Sequence, residues 1–294
     1  MDFKLGIALQ DGLQANLMTV CDPVGEACLG AWLFPAQVVK KRENRVTLDQ
    51  LRTGLRLCFA RWRTLPAEIQ TDSESVFVGK PSDSFPGMFT LWLTGLDIKH
   101  VVIRPGQPTD NAEVERCHRT IHDYAIVRRK KCSLSELQHI LDRASQELVF
   151  ELSSKAENCD GQPPIAAHPE LLQPRRPFQP EWELACFDRH RVDRFLATLT
   201  WQRKVSKTGQ ISLGGHHEYY SVGHESAQRE VLIRFDPGDR HFVFYDATEP
   251  DVEIGRKPAR NLTVERLSGL APWPAELAPQ QLPLPLPIPE GVNC

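Results

Sequence analysis

The sequence predicts a mixed α/β domain followed by a small all-β domain. In the first half, short strand-like runs alternate with stretches whose apolar residues recur every three or four positions. From Leu199 onward, short strand-like runs are separated by close turns, a pattern typical of a small barrel. A chain of 294 residues, of which 41% are hydrophobic, is long enough and apolar enough for two packed cores.

Three strand-like runs open the chain, at about residues 3–9, 15–22 and 27–34. Asp11-Gly12, between the first two runs, is a hairpin signal because both residue types accept the backbone conformations of a tight turn. We therefore expect antiparallel strands at the start of the domain.

A helix and two further strands follow. Thr47 is a typical N-cap, and the apolar residues after it keep helical spacing until Pro66 ends the helix. Next come a strand at residues 68–72, a short helix at 84–96 and a strand at 98–103. This order indicates a mixed sheet with helices on its faces.

Two helices complete the first predicted domain, residues 1–157. One runs from about residue 110 to 131. The other begins after Ser133, which has the capping-box spacing to Glu136, and runs to about residue 157.

Composition divides the rest of the chain. Residues 158–197 are rich in Pro and Arg and are interpreted as a linker that packs along a surface, and residues 198–265 as the small barrel. Residues 266–294 contain alternating prolines and are predicted to be an exposed, disordered tail. The predicted barrel strands are residues 199–205, 210–213, 218–222, 230–235 and 241–246.

Charge and cysteines narrow the function classes. The net charge of −3 argues weakly against nucleic-acid binding, which calls for an excess of Lys and Arg. The 8 cysteines lack the close spacing of zinc ligands, which favours reduced thiols in a cytoplasmic protein. No run of about 18 apolar residues predicts a membrane span, and no secretory signal is visible.

Three carboxylates stand where predicted elements begin or end. Asp2 lies in the first strand, Asp72 at the end of the fourth, and Glu115 in the first turns of the long helix. Converging carboxylates suit Mg²⁺, which prefers hard oxygen ligands. Taken singly, each has an ordinary alternative: a solvated terminus for Asp2, a turn or cap for Asp72, and a helix-dipole partner for Glu115.

These residues carry a family resemblance. The segment from Pro108 to Arg116, with Asn111 and Val114-Glu115-Arg116, is similar to a motif of the integrase core found in insertion-sequence transposases and retroviral integrases. Asp2-Phe3-Lys4 and Thr71-Asp72 resemble the two other parts of its D,D,E triad. The resemblance extends over about residues 1–130.

The resemblance implies a ribonuclease-H-like fold for the first domain and a transposase or integrase activity. Asp2, Asp72 and Glu115 then become catalytic ligands of two Mg²⁺ (or Mn²⁺) ions, about 4 Å apart, in DNA cleavage and strand transfer. The implied partners are double-stranded DNA, as element ends and target, and further copies of the chain in a homo-multimer on DNA. The implied location is the bacterial cytoplasm, in association with the nucleoid.

Basic residues near the triad are candidates for DNA contact. On the long helix they are Arg116, Arg119, His122, Arg128, Arg129, Lys130 and Lys131, although the last four also suit the dipole of a helix C-terminus. Arg203, Lys204 and Lys207 lie in a segment that resembles the C-terminal β-barrel of transposases related to phage Mu, with a solvated hairpin as the alternative. His216-His217 is interpreted as a surface pair rather than a metal site.

The sequence departs from the family pattern at three places. Ser73-Glu74 follows Asp72 where the family has a tight Asn-Gly turn, Ala112 replaces a glycine, and Asp2 stands at the second position, which indicates an N-terminally truncated core. A second hypothesis is therefore a catalytically impaired, DNA-binding transposase remnant that acts as a multimer partner or inhibitor. A third is a ribonuclease-H-like nuclease that cleaves DNA without joining it.

Overall fold

The computed structural model describes residues 1–25, 27–39, 42–79, 84–103, 112–127, 130–214 and 218–270. They fall into two compact units. Of the described residues, the first unit contains 1–73 and 101–181, and the second contains 74–100 and 182–270. Among the helices of this described part, none is long and apolar enough to span a membrane.

An antiparallel sheet in the order β1-β2-β3 forms the centre of the first unit. Its strands are β1 (Asp2–Ala8), β2 (Gln14–Asp22) and β3 (Ala27–Pro35), which confirms the three predicted strands. Gly12 in the turn after β1 has a φ of 80°, a left-handed conformation that glycine adopts without strain. Asp11-Gly12 therefore provides the predicted hairpin turn.

A short hairpin and the first helix follow the sheet. The hairpin consists of β4 (Gln37–Val39) and β5 (Arg42–Arg45), and the helix is α1 (Leu48–Trp62). Thr47 caps α1, since its side chain accepts a hydrogen bond from Gln50 N–H while the Gln50 side chain accepts one from Thr47 N–H. The apolar face of α1 is buried through Leu51, Leu55 and Phe59.

The strand β6 (Glu68–Thr71) lies beside the start of β1. The Met1 nitrogen donates a hydrogen bond of 2.9 Å to the carbonyl oxygen of Gln70. β6 also pairs with β7 (Lys99–Val102). The sequence predicted Asp2 in the first strand and Asp72 at the end of the fourth. In the structure Asp2 begins β1, and Asp72 directly follows β6, which lies beside it.

Two long helices cover the sheet. α4 (Ala112–Ala125) packs against β2, and α5 (Leu134–Phe150) packs against β3. Ser133 caps α5 and forms the predicted capping box with Glu136. The shared core of sheet and helices includes Ile7, Leu9, Ala15, Leu17, Leu33, Ile121, Ala125, Leu137 and Leu141.

Both helices end earlier than the sequence predicted. α4 stops at Ala125, because the N–H groups of Ile126 and Val127 both donate to the carbonyl of His122 and close the last turn. α5 stops at Phe150, and Ser154 then uses its hydroxyl to accept a hydrogen bond from a backbone N–H. Such side-chain bonds offer the backbone an alternative to the helix. Lys130 and Lys131 accordingly lie outside the helix that was predicted to contain them.

The second unit contains a four-stranded antiparallel sheet in the order β13-β12-β11-β8 and a separate hairpin of β9 and β10. The strands are β8 (Thr200–Lys204), β9 (Gln210–Ser212), β10 (Tyr219–Ser221), β11 (Glu230–Asp236), β12 (His241–Asp246) and β13 (Glu253–Pro258). Each of the five predicted strands is present. Closure into a barrel stays a prediction.

Helices and aromatic side chains complete the second unit. The helices are α2 (Ser75–Val78), α3 (Met88–Gly95), α7 (Glu183–Cys186), α8 (Arg189–Ala197) and α9 (Val264–Ser268), while α6 (Pro164–Ala167) belongs to the first unit. Phe85 packs on Trp201 and on Phe242, with ring centroids 5.1 and 5.9 Å apart. This aromatic contact explains why residues 74–100 fold with the C-terminal strands.

The predicted domain boundaries stay predictions, but two observations bear on them. α8 lies in the predicted linker, yet Val192 and Leu196 are fully buried, so this part of the linker contributes to a core. Leu267 in α9 is also fully buried, although it was assigned to the tail. Residues 271–294, the rest of that predicted tail, lie outside the described residues.

Candidate functional site

Asp2 stands at the first position of β1, directly opposite Thr19 of β2. Its Oδ1 accepts a hydrogen bond of 2.7 Å from Phe3 N–H. The side chain is 22% exposed, so part of it still reaches solvent. The position of Asp2 is thus set by the sheet register and by a local backbone donor.

Glu115 reaches the same place from α4. An open cavity of about 330 Å³ lies between the start of β1 and this helix. Its lining consists of Asp2, Phe3, Lys4, Glu115, His118, Arg119, His122 and Asp123. Positions 115, 118, 119 and 122 share one helix face because they are three or four residues apart. The two outer members of the predicted triad therefore face one cavity.

Burial and a neighbouring charge perturb Asp2. Burial raises the pKa of Asp2, and the Glu115 carboxylate raises it further, while Phe3 N–H and the Met1 ammonium group lower this pKa in part. Two carboxylates that share a site repel each other. A divalent cation between them would remove this repulsion, so the donor set of Asp2 and Glu115 fits Mg²⁺ or Mn²⁺.

Asp72 follows β6 and is half-buried. Its carbonyl oxygen accepts a hydrogen bond of 2.9 Å from the Thr71 hydroxyl. Asp72 is not among the residues that line the cavity. Within the described residues, no group of three or more His, Cys, Asp or Glu side chains is arranged to hold a metal ion. The structure thus brings Asp2 and Glu115 together and does not add Asp72 to them.

His118 is a site residue to which the sequence suggested no role. Its Nδ1 lies 2.9 Å from the hydroxyl oxygen of Thr19, and its Nε2 lies 3.6 Å from Asp2 Oδ2. Burial lowers the pKa of His118 to about 4, and the Met1 ammonium group and Lys4 lower it further. The contact with Asp2 is therefore one between a neutral imidazole and a carboxylate at neutral pH, rather than an ion pair.

The predicted DNA-contact residues are distributed over both units. In the first, Arg119 and His122 line the cavity, Arg116 is exposed on the same helix, and Lys130 and Lys131 are exposed beyond it. Arg128, Arg129, His216 and His217 lie outside the described residues.

The basic residues of the second unit lie on or next to β8. Lys204 and Lys207 are exposed, whereas Arg203 is half-buried and donates hydrogen bonds to Ser84 Oγ and to the Gln202 carbonyl. Arg203 is thus partly engaged within its own unit.

Comparison with known proteins gives one family match. Residues 96–147 match a family model described as integrase core domain. This range includes Glu115 and the cavity-lining residues of α4, but neither Asp2 nor Asp72. The match supports an integrase- or transposase-like origin for this part of the chain. A search of curated proteins gave no match.

Among solved structures, the chain is similar to the catalytic core domain of BIV integrase. The sequence identity is 15%, and the superposition covers 57% of this chain and 93% of that chain, with a TM-score of 0.35.

Proposed function

We propose that this protein is a DNA recombinase of the transposase or integrase type, with a ribonuclease-H-like first domain. In this reaction a DNA 3′-hydroxyl group loses its proton and attacks the phosphorus of a phosphodiester in another DNA segment. A new P–O bond forms, and the P–O bond to the 3′-oxygen of that segment breaks, so that this oxygen leaves as a 3′-hydroxyl group. The observation that carries the proposal is the cavity that Asp2 and Glu115 both line, beside a helix within the residues that match an integrase core model. Burial raises the pKa of Asp2, and the charge of Glu115 adds a smaller increase, so the two carboxylates are close enough to interact.

In this proposal Asp2 and Glu115 hold divalent cations, and Asp72 completes the ligand set. Two bound Mg²⁺ or Mn²⁺ ions activate the attacking oxygen and stabilise the leaving oxygen of such a displacement. Phe3 N–H fixes one oxygen of Asp2, so its carboxylate keeps a constant orientation. Glu115 lines the same cavity and is exposed, so its carboxylate is accessible to a cation from solvent.

The basic residues position double-stranded DNA in this proposal. Arg119 and Lys4 supply permanent positive charge beside the carboxylates, and His122 adds a hydrogen-bond donor. Arg116 and the lysines after α4 extend this surface. Arg203, Lys204 and Lys207 contact DNA backbone from the second unit, which we propose to be related to the barrel of Mu-type transposases. The chain acts as a homo-multimer that pairs element ends with target DNA, in the bacterial cytoplasm and at the nucleoid.

A strand-transfer assay tests the proposal. Full-length protein is incubated with duplex DNA from the borders of its own reading frame, a labelled 3′-end and Mg²⁺ or Mn²⁺. We expect joining by the wild-type protein, its loss in EDTA, and losses of at least about 100-fold in Asp2→Asn and Glu115→Gln. Asp72→Asn tests whether Asp72 is the third ligand, because joining should then be lost in this variant as well. Asp123→Asn is the matched control, because Asp123 lines the same cavity but its side chain is 66% exposed.

A second candidate is the catalytically impaired, DNA-binding remnant. It is favoured by the position of Asp72, which does not line the cavity, and by Ser73-Glu74, which adds bulk and charge after it. Protein that binds DNA but binds no Mn²⁺ in calorimetry would support this alternative. Mn²⁺ binding that is lost in Asp2→Asn would exclude it.

A further inference from the structure

His118 lies between Thr19 and Asp2, and only one of its two ring nitrogens has a hydrogen-bond partner. Nδ1 bonds the Thr19 hydroxyl at 2.9 Å. Nε2 makes no hydrogen bond to any described residue, although the side chain is only 9% exposed. Asp2 Oδ2 lies 3.6 Å from Nε2. Nε2 is thus a buried polar atom directed at a carboxylate that lines the cavity.

The protonation of the ring follows from its neighbours. A neutral imidazole carries one proton, on either Nδ1 or Nε2. If Nδ1 carried it, the lone pair of Nε2 would face the negative Asp2 carboxylate. If the Thr19 hydroxyl donates to Nδ1, Nε2 carries the proton and presents it to Oδ2, which is favourable. The surroundings therefore select the Nε2–H form of His118.

A purely structural role does not account for this arrangement. A buried donor without a partner has lost its hydrogen bonds to water and gained none, so a core position would be better filled by an apolar side chain. The gap to Asp2 is also small, because a movement of about 0.4 Å brings Nε2 within hydrogen-bond range of Oδ2. The burial of Nε2–H without a partner is explained if this group holds the Asp2 carboxylate in place.

We propose that His118 is a positioning residue, whose Nε2–H holds Oδ2 of Asp2 while Phe3 N–H holds Oδ1. Each carboxylate oxygen has two lone pairs, so each keeps one for a cation after accepting one hydrogen bond. The two donors fix the direction of those remaining lone pairs. This inference rests on the proposed function, since it assigns His118 to the orientation of a metal ligand.

Carbon-13 NMR of the Asp2 carboxyl group tests the contact in the full-length, metal-free protein. The variants are His118→Gln and His118→Leu, which are similar in size but differ because only the Gln amide donates a hydrogen bond. We expect His118→Leu to raise the pKa of Asp2 above the wild-type value, and His118→Gln to keep it near that value. Equal changes in both variants, or no change in either, would overturn the proposal.

Joining of DNA in Mn²⁺ tests the consequence. We expect His118→Leu to lose about 10- to 100-fold in rate, His118→Gln to recover most of it, and His100→Leu to stay at the wild-type rate. His100 is the matched control because it also bonds a threonine through Nδ1, in the second unit. If the wild-type protein joins DNA and His118→Leu joins it at the same rate, the proposed role of His118 is refuted while the proposed function stands. If the wild-type protein neither binds Mn²⁺ nor joins DNA, the proposed function and this role both fail.

Discussion

The hydrogen bond between Thr19 and His118 leads to a quantitative prediction. Thr19→Val keeps the shape of the side chain but removes the hydroxyl group that bonds Nδ1 at 2.9 Å. Thr19 is fully buried and His118 is 7% exposed, so water cannot replace the lost partner. A buried polar atom without a partner costs about 1–3 kcal/mol. We expect Thr19→Val to lower the free energy of unfolding of the first unit by this amount.

Hydrogen exchange followed by mass spectrometry measures this change for each unit separately. A loss of about 1–3 kcal/mol speeds the exchange of the globally protected amides of β2 by about 5- to 150-fold. Thr90→Val is the matched control, because Thr90 bonds His100 Nδ1 at the same distance of 2.9 Å in the second unit. That bond is only partly buried, so we expect a smaller increase, of about 0.5–1.5 kcal/mol, confined to the second unit.

The reasoning is refuted if exchange of β2 in Thr19→Val changes by less than about 2-fold. Such a result would mean that Thr19 does not hold Nδ1 in solution. The argument for the Nε2–H form of His118, and with it the contact to Asp2, would then lose its basis.

Three further predictions concern pH, packing and charge. Burial lowers the pKa of His100 from 6.5 to about 4, so the unfolded chain binds the proton first as the pH falls. The free energy of unfolding of the second unit should therefore decrease as the pH falls from 6.5 to 4, by up to about 3 kcal/mol. Urea midpoints measure this decrease, and the free energy of unfolding of His100→Phe should depend less steeply on pH. Gly95→Ala should destabilise the second unit by about 1–3 kcal/mol in thermal denaturation, because its Cβ would lie 2.2 Å from Cε2 of Phe187; an unchanged midpoint would show that the ring moves freely. Glu115→Gln should lower the pKa of Asp2 in carbon-13 NMR, since the Glu115 charge raises it. An unchanged pKa would show that the Glu115 charge does not act on Asp2.

Local signals in the sequence were sufficient for most of the secondary structure. Thr47 and Ser133 each satisfy backbone N–H groups at a helix start, and Asp11-Gly12 forms a turn, whatever the rest of the chain does. The predicted ends of α4 and α5 were wrong. The end of α4 depends on the His122 carbonyl, which accepts two hydrogen bonds, and the chain after α5 uses the Ser154 hydroxyl as a hydrogen-bond acceptor. The place of residues 74–100 depends on Phe85, which packs against strands more than 100 residues further along the chain. No local pattern encodes such a contact.

The candidate site was predictable only where a motif pointed to it. Asp2 and Glu115 came from the family resemblance, and the structure brings both to one cavity. His118 stands three residues after Glu115, so helix geometry alone puts the two on one face. Its significance appears only when the sheet register sets Thr19 opposite Asp2 and both face the imidazole. Sequence reasoning assigned roles to the acidic and basic residues and overlooked His118, which we propose to position Asp2.

The net charge of −3 was weak evidence against DNA binding because it averages over the whole chain. The cavity itself collects three carboxylates, Asp2, Glu115 and Asp123, against two permanent cations, Lys4 and Arg119. His118 is held neutral there, so it cannot offset the acids. A DNA phosphate that approached these side chains alone would meet net negative charge. Under the proposed function, divalent cations reverse that local charge, so cation binding and DNA binding at this cavity form one linked equilibrium in which each strengthens the other.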